Sequence, residues 1–139
     1  MLYEETAVTV GRRHRLKTCG PIISVRLERP PGGTEPYPPL DVTALIDTGA
    51  CGVYIQAGIA DELGLPVVGS GTVSTPTHRG EPVSLYRVKL TFSAGFYLEM
   101  QAAEVPLERQ QYRCLIGRDV LKHARFTYDG LTGTFSLDF

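Results

Sequence analysis

The chain predicts an all-β domain with two short helices, on three features of the sequence. Most apolar segments are short and end at glycine or proline, of which the 139 residues hold 15 and 10. Residues 22–28 alternate, Ile23, Val25 and Leu27 being separated by Ser24 and Arg26, the period of a strand with one buried face. Val83 to Phe92 and Phe96 to Val105 are joined by Ser93-Ala94-Gly95 as the arms of a hairpin are.

In chain order, Ala7 to Val10 reads as a first short strand and Ile22 to Glu28 as the second. Arg29 to Pro39, with Pro30, Pro31, Gly32, Gly33, Pro36, Pro38 and Pro39, can only be a surface loop. Asp41 to Asp47 follows as a strand whose Ala44-Leu45-Ile46 end predicts burial on both faces. After a short apolar piece, Val53 to Ile55, a helix is expected over Gln56 to Leu63, with Ile59, Ala60 and Leu63 on one face and Gly64 as its C-cap. Leu65 to Val68 leads into Gly69-Ser70-Gly71 and Thr72 to Thr75, then a break at Pro76 to Pro82 and the long strand from Val83 to Phe92; the two β-rich arms around the break, which contains Gly80, read as an extended hairpin. Glu108 to Gln111 is a polar loop, Tyr112 to Ile116 a strand, and Val120 to Ala124 a short helix. Phe126 to Tyr128 and Thr134 to Phe139 flank the turn Asp129-Gly130-Leu131-Thr132-Gly133.

The length suits one domain over 1–139, with 1–20 as an N-terminal extension. A net charge of −1 gives no global field toward nucleic acid or a membrane surface. The cluster Arg12, Arg13, Arg15 and Lys17 with His14 lacks interleaved aromatics and reads as a solvated strand or loop. Met1-Leu2-Tyr3-Glu4-Glu5 places acid where a secretory signal needs base, so a cytoplasmic location is expected. Cys19, Cys51 and Cys114 are odd in number and widely spaced, which favours neither a disulfide framework nor a metal site; no cofactor is expected. Each thiol reads as a small buried group filling space.

The candidate chemistry lies at Asp47, where Ala44-Leu45-Ile46 delivers a carboxylate into the tight turn Thr48-Gly49-Ala50. Alone, Asp and Gly also make an ordinary turn. The apolar residues before it would set the acid against a buried layer, where an ionised carboxylate is costly unless compensated. A second strand, Cys114-Leu115-Ile116, ends at Gly117 and opens a helix with Arg118-Asp119-Val120-Leu121. Glu99 and Glu104 resemble a carboxylate pair but read more simply as polar surface on a strand.

Leu45-Ile46-Asp47-Thr48-Gly49-Ala50, followed about seventy residues later by Leu115-Ile116-Gly117-Arg118-Asp119-Val120-Leu121, resembles the retropepsin-like aspartic proteases, and the order of elements between them agrees. The pattern is most similar to stand-alone, non-viral members, among them the Ddi-type proteases with their Leu-Gly-x-Asp-x-Leu. The resemblance covers roughly Pro21 to Phe139. It implies a closed, homodimeric acid-protease barrel with a flap hairpin, in which Asp47 of each protomer forms a catalytic dyad acting on a peptide or protein substrate without metal. Thr48 would bond across to the other chain, Gly49 would admit the peptide backbone, and Leu115, Ile116, Gly117, Arg118 and Asp119 would support the turn. Ala50, unlike a serine, offers the dyad no hydroxyl, so the shared proton would be held to higher pH.

The hairpin from Thr72 to Tyr86 would be the flap, with Thr77, His78, Arg79 and Gly80 near its tip as substrate contacts. Where viral members carry an acid directly after the motif, this chain has Cys51, which leaves Arg118 to pair with Asp119, Asp61 or a carboxylate of the other chain. The expected function is an aspartic endopeptidase. The alternatives are a weakly active or inactive peptide-binding or assembly module of the same fold, and a precursor that removes its own segment before Pro21.

Overall fold

Alternation, turn residues and apolar runs become twelve elements in a computed structural model, which describes residues 7–33, 36–74, 79–93 and 95–139. They are helix α1 (Ala7–Cys19), strands β1 (Ile22–Glu28), β2 (Leu40–Ile46) and β3 (Val53–Gln56), and helix α2 (Ile59–Leu63). Strands β4 (Val67–Val73), β5 (Glu81–Thr91), β6 (Tyr97–Val105) and β7 (Cys114–Ile116), helix α3 (Arg118–Leu121), and strands β8 (Arg125–Asp129) and β9 (Thr134–Asp138) follow.

Seven strands share one sheet in the order β1-β2-β7-β3-β6-β5-β4, and β1 also pairs with β5. Six of them therefore close into a barrel, while β4 lies outside the ring as the second arm of a hairpin with β5. The inward side chains of every barrel strand meet in one core, including Val25, Leu27, Val42, Ala44, Val53, Ile55, Val88, Leu90, Ala102, Cys114 and Ile116. Each is largely withdrawn from water, the main favourable contribution to folding. Strands β8 and β9 form a separate two-stranded sheet.

The expected strand at Ala7–Val10 and the basic strand or loop after it are instead the single helix α1. No proline interrupts these residues, and Arg, Leu and Lys are good helix formers. Among its described side chains the helix buries only Thr9 and Leu16, seven residues or about two turns apart, too thin a stripe to read as a period. Gly20, at φ 78°, ends it by donating its N–H to the Leu16 carbonyl at 3.0 Å.

Helix α2 is shorter than expected because Gln56 belongs to β3 and Gly58, at φ 101°, breaks the chain before Ile59. Its buried Ile59, Ala60 and Leu63 and its left-handed C-cap Gly64 are as the sequence predicts. Helix α3 starts at Arg118, two residues early, where the chain leaves the extended Gly117. Gly69-Ser70-Gly71 runs inside β4, with a register shift between Val67 and Gly69, and β5 begins at Glu81 rather than Val83. Leu85 packs against both glycines, a Cβ at Gly71 lying 3.4 Å and one at Gly69 4.0 Å from its Cδ1, ordinary contact distances.

Glu104 is not merely polar surface. From β6 its carboxylate accepts the N–H of Gly58 at 3.1 Å and of Ala60 at 2.9 Å, capping the first turn of α2 from a distant strand. Glu99, by contrast, meets Arg87 at 3.3 Å in a partly exposed pair. Among the described residues no helix is long and apolar enough to cross a membrane.

Replacing Glu104 by Ala should lower the unfolding free energy by about 1–2 kcal/mol, the cost of losing a helix cap, whereas Glu99→Ala should change it by less than about 0.5 kcal/mol. Urea unfolding of the two variants measures the difference.

Candidate active site

The site is built where two strand ends meet. β7 lies between β2, to which it is parallel (Ile46 beside Ile116), and β3, to which it is antiparallel (Val53 beside Ile116). A chain leaving β2 must therefore pass over the end of β7 to enter β3. Residues 47–52 make that crossing, and Gly117 lies beneath it. A Cβ at Gly117 would collide with the Gly52 carbonyl and lie 2.7 Å from the Ala50 carbonyl oxygen, so no side chain fits there.

Backbone hydrogen bonds fasten the crossing. Asp47 donates its N–H to the Ile116 carbonyl at 2.9 Å, Arg118 to the Ala50 carbonyl at 2.9 Å, and Asp119 to the Cys51 carbonyl at 2.8 Å. Within the turn, the Asp47 carbonyl accepts the Ala50 N–H at 3.1 Å and its Oδ1 accepts the Gly49 N–H at 2.9 Å. The half-buried carboxylate thus has one oxygen tied to its own turn. Thr48 and Gly49 are exposed beside it.

Leu115, Ile116, Gly117, Arg118 and Asp119 are all brought to this turn, with Ile116 fully buried. Within this chain, Arg118 pairs with neither Asp119 nor Asp61 among the described residues. Its Nη1 donates to the Thr48 carbonyl at 2.8 Å, because the first residue of α3 starts directly under the turn. Asp119 instead faces Lys122 at 3.9 Å. Cys51 also departs from expectation: it is exposed, since its backbone faces α3 and its side chain is left on the outer side of the crossing. Cys114 is buried as expected, and burial pushes its thiol up to about 12. Cys19 is half-buried at the end of α1.

Of the expected flap contacts, Thr77 and His78 lie outside the described residues. Arg79 and Gly80 are exposed at the start of the β5 arm, where Gly80, at φ 68°, donates its N–H to Ser74 Oγ at 3.1 Å. The β4–β5 pairing forms the expected hairpin.

Tyr112 is a site neighbour that sequence reasoning missed. Burial and then the charge of Asp47 hold its phenol above the usual range. The segment is pinned to β2 by Thr43, whose Oγ1 donates to the Gln111 carbonyl at 3.1 Å and whose carbonyl accepts the Arg113 N–H at 2.9 Å. Its only sequence signal was position, at the start of the expected strand Tyr112 to Ile116 that leads to Gly117.

Gly117→Ala should destabilise the fold by about 1–3 kcal/mol or prevent folding, because backbone cannot yield as a side chain does. Gly130→Ala, whose Cβ would meet only the Tyr128 ring at 3.6 Å, should be close to neutral in the same urea titration.

A sequence profile of the family described as aspartyl protease matches residues 39–120. No curated protein matches the chain. Among solved structures, it is similar to the EIAV protease complexed with an inhibitor, at 18% identity and a TM-score of 0.45 over 74% of this chain and 86% of that one. A retropepsin-like aspartic protease from Rickettsia conorii matches at 13% identity and a TM-score of 0.46, over 78% and 86% of the two chains. The retroviral protease-like domain of Ddi1 from Leishmania major matches at 18% identity and a TM-score of 0.46, over 84% and 88%. Because the profile spans more than half of the sequence, from the start of β2 through the turn of Asp47 to α3, the chain belongs to the aspartyl protease family.

Proposed function

We propose that the protein is a retropepsin-like aspartic endopeptidase that works as a homodimer, each protomer supplying Asp47. The observation that carries this reading is a half-buried carboxylate fixed on a rigid turn by Gly49, in a chain with only one Asp-Thr-Gly. One such acid is half of a general acid–base pair. A two-fold axis through the exposed Thr48-Gly49 face would bring the second, and Thr48 would tie the turns together across it.

The chemistry follows from repulsion. Two carboxylates about 3 Å apart cannot both ionise, so they share one proton. The charged member takes a proton from a water whose oxygen attacks the scissile carbonyl carbon, while the protonated member donates to the carbonyl oxygen. Collapse of the tetrahedral species breaks the C–N bond as the leaving nitrogen receives a proton from the dyad. Water is the nucleophile, so no acyl-enzyme forms. In this scheme the β4–β5 hairpin covers an extended peptide, Gly49 lets its backbone approach, and Ala50 leaves the carboxylates without a hydroxyl donor.

Digestion of a peptide library by wild type and Asp47→Asn tests the assignment. The variant should keep its circular dichroism spectrum and lose cleavage by about a hundredfold or more. Cleavage at the wild-type rate by the variant would refute the dyad, and a wild type that binds peptides in the groove without cutting them would identify a recognition module.

A further inference from the structure

The outer edge of β4 is a second feature with chemical consequences. β4 ends the seven-stranded sheet, and among the described residues nothing pairs with the side that faces away from β5. Proteins normally guard such an edge with charge or proline. The β8–β9 sheet follows that rule, with Arg125 and Asp129 on one strand and Asp138 on the other. β4 does not: Val67-Val68-Gly69-Ser70-Gly71-Thr72-Val73 has no charged residue and no proline, and Val67 and Val68 are 62% and 44% exposed.

The same seven residues read almost identically in both directions about Ser70. Glycines flank it, Val68 and Thr72 are of nearly the same shape, and valines close both ends. Antiparallel pairing across a two-fold axis sets each residue opposite its mirror position, so a strand suits its own copy when mirror positions are compatible. Here small faces small, β-branched faces β-branched, and no like charges meet.

The backbone agrees. Pro82, which lacks an N–H, lies opposite Thr72, so that pair cannot exchange both ladder bonds with β5. By the strand's period of two, Thr72 and Ser70 turn their N–H and C=O groups to the free edge. The register shift between Val67 and Gly69 leaves Gly69 to Val73 as the regularly paired part of the strand.

We infer that β4 is an interaction surface for a second copy of this chain, pairing antiparallel about Ser70 to form a four-stranded β5-β4-β4-β5 sheet. The pairing takes no part in the Asp47 turn. It adds a contact of its own to whatever assembly the site requires.

A cysteine at position 70 reports the pairing directly. Across a hydrogen-bonded antiparallel pair the Cα atoms lie about 5.5 Å apart, within disulfide range. In a Cys19→Ser, Cys51→Ser background, mild oxidation of Ser70→Cys should link two chains about tenfold faster than oxidation of Ser84→Cys, an exposed position one strand further from the axis. Adding Thr72→Lys should abolish the advantage, and adding Asp47→Asn should preserve it, which separates this result from the fate of the dyad. Equal linking of the two cysteine variants, or linking indifferent to Thr72→Lys, would overturn the inference. So would a Ser70→Cys chain that captures a cysteine-bearing extended peptide but not its own copy, since the edge would then serve another strand.

Discussion

The contact between the 47–52 crossing and Gly117 is the constraint on which the rest of this molecule depends. It is a meeting of backbones, closed by the N–H groups of Asp47, Arg118 and Asp119 and too tight to admit even a methyl group at 117. Because it joins β2, β7 and β3 at one point, it fixes their register and the direction in which Asp47 leaves the sheet. A backbone clamp suits an acid that must be held in place, since it has no rotamers to sample. Arg118 extends the clamp to Thr48 by donating to its carbonyl.

The barrel makes that clamp affordable in free energy. Ile46 and Ile116, side by side in the parallel β2–β7 pair, are both buried beneath the turn, and Ile116 anchors it in the core that Val53 and Val120 help to build. The carboxylate sits at the boundary of this apolar layer, where one oxygen accepts the Gly49 N–H. Tyr112, pinned through Thr43, brings an aromatic ring into the electrostatic reach of the acid. In the proposed dyad, a single protomer would supply a rigidly held acid as one half of the acid–base pair.

What could be read in advance was what is encoded locally. The Asp47 turn, the Gly64 cap and both hairpins are punctuated by residues whose backbone preferences act within a few positions. Features that depend on tertiary contact were hidden. Helix α1 shows too little buried surface to display a period, and nothing near Gly69 and Gly71 in sequence says that Leu85 packs against them. Glu104 caps a helix more than forty residues upstream, so no spacing rule could have found it. At the site itself, Asp47 and the 115–119 support were legible. The carbonyl partner of Arg118, the outward thiol of Cys51 and the placement of Tyr112 required the fold.

The central claim is that Asp47 becomes catalytic only beside its own copy. A crystal structure of the assembled protein gives the decisive distance, that between the two Asp47 carboxylates. The account requires them to lie about 3 Å apart on a two-fold axis, sharing a proton. Carboxylates of neighbouring chains far apart in every assembly, each facing solvent alone, would contradict it.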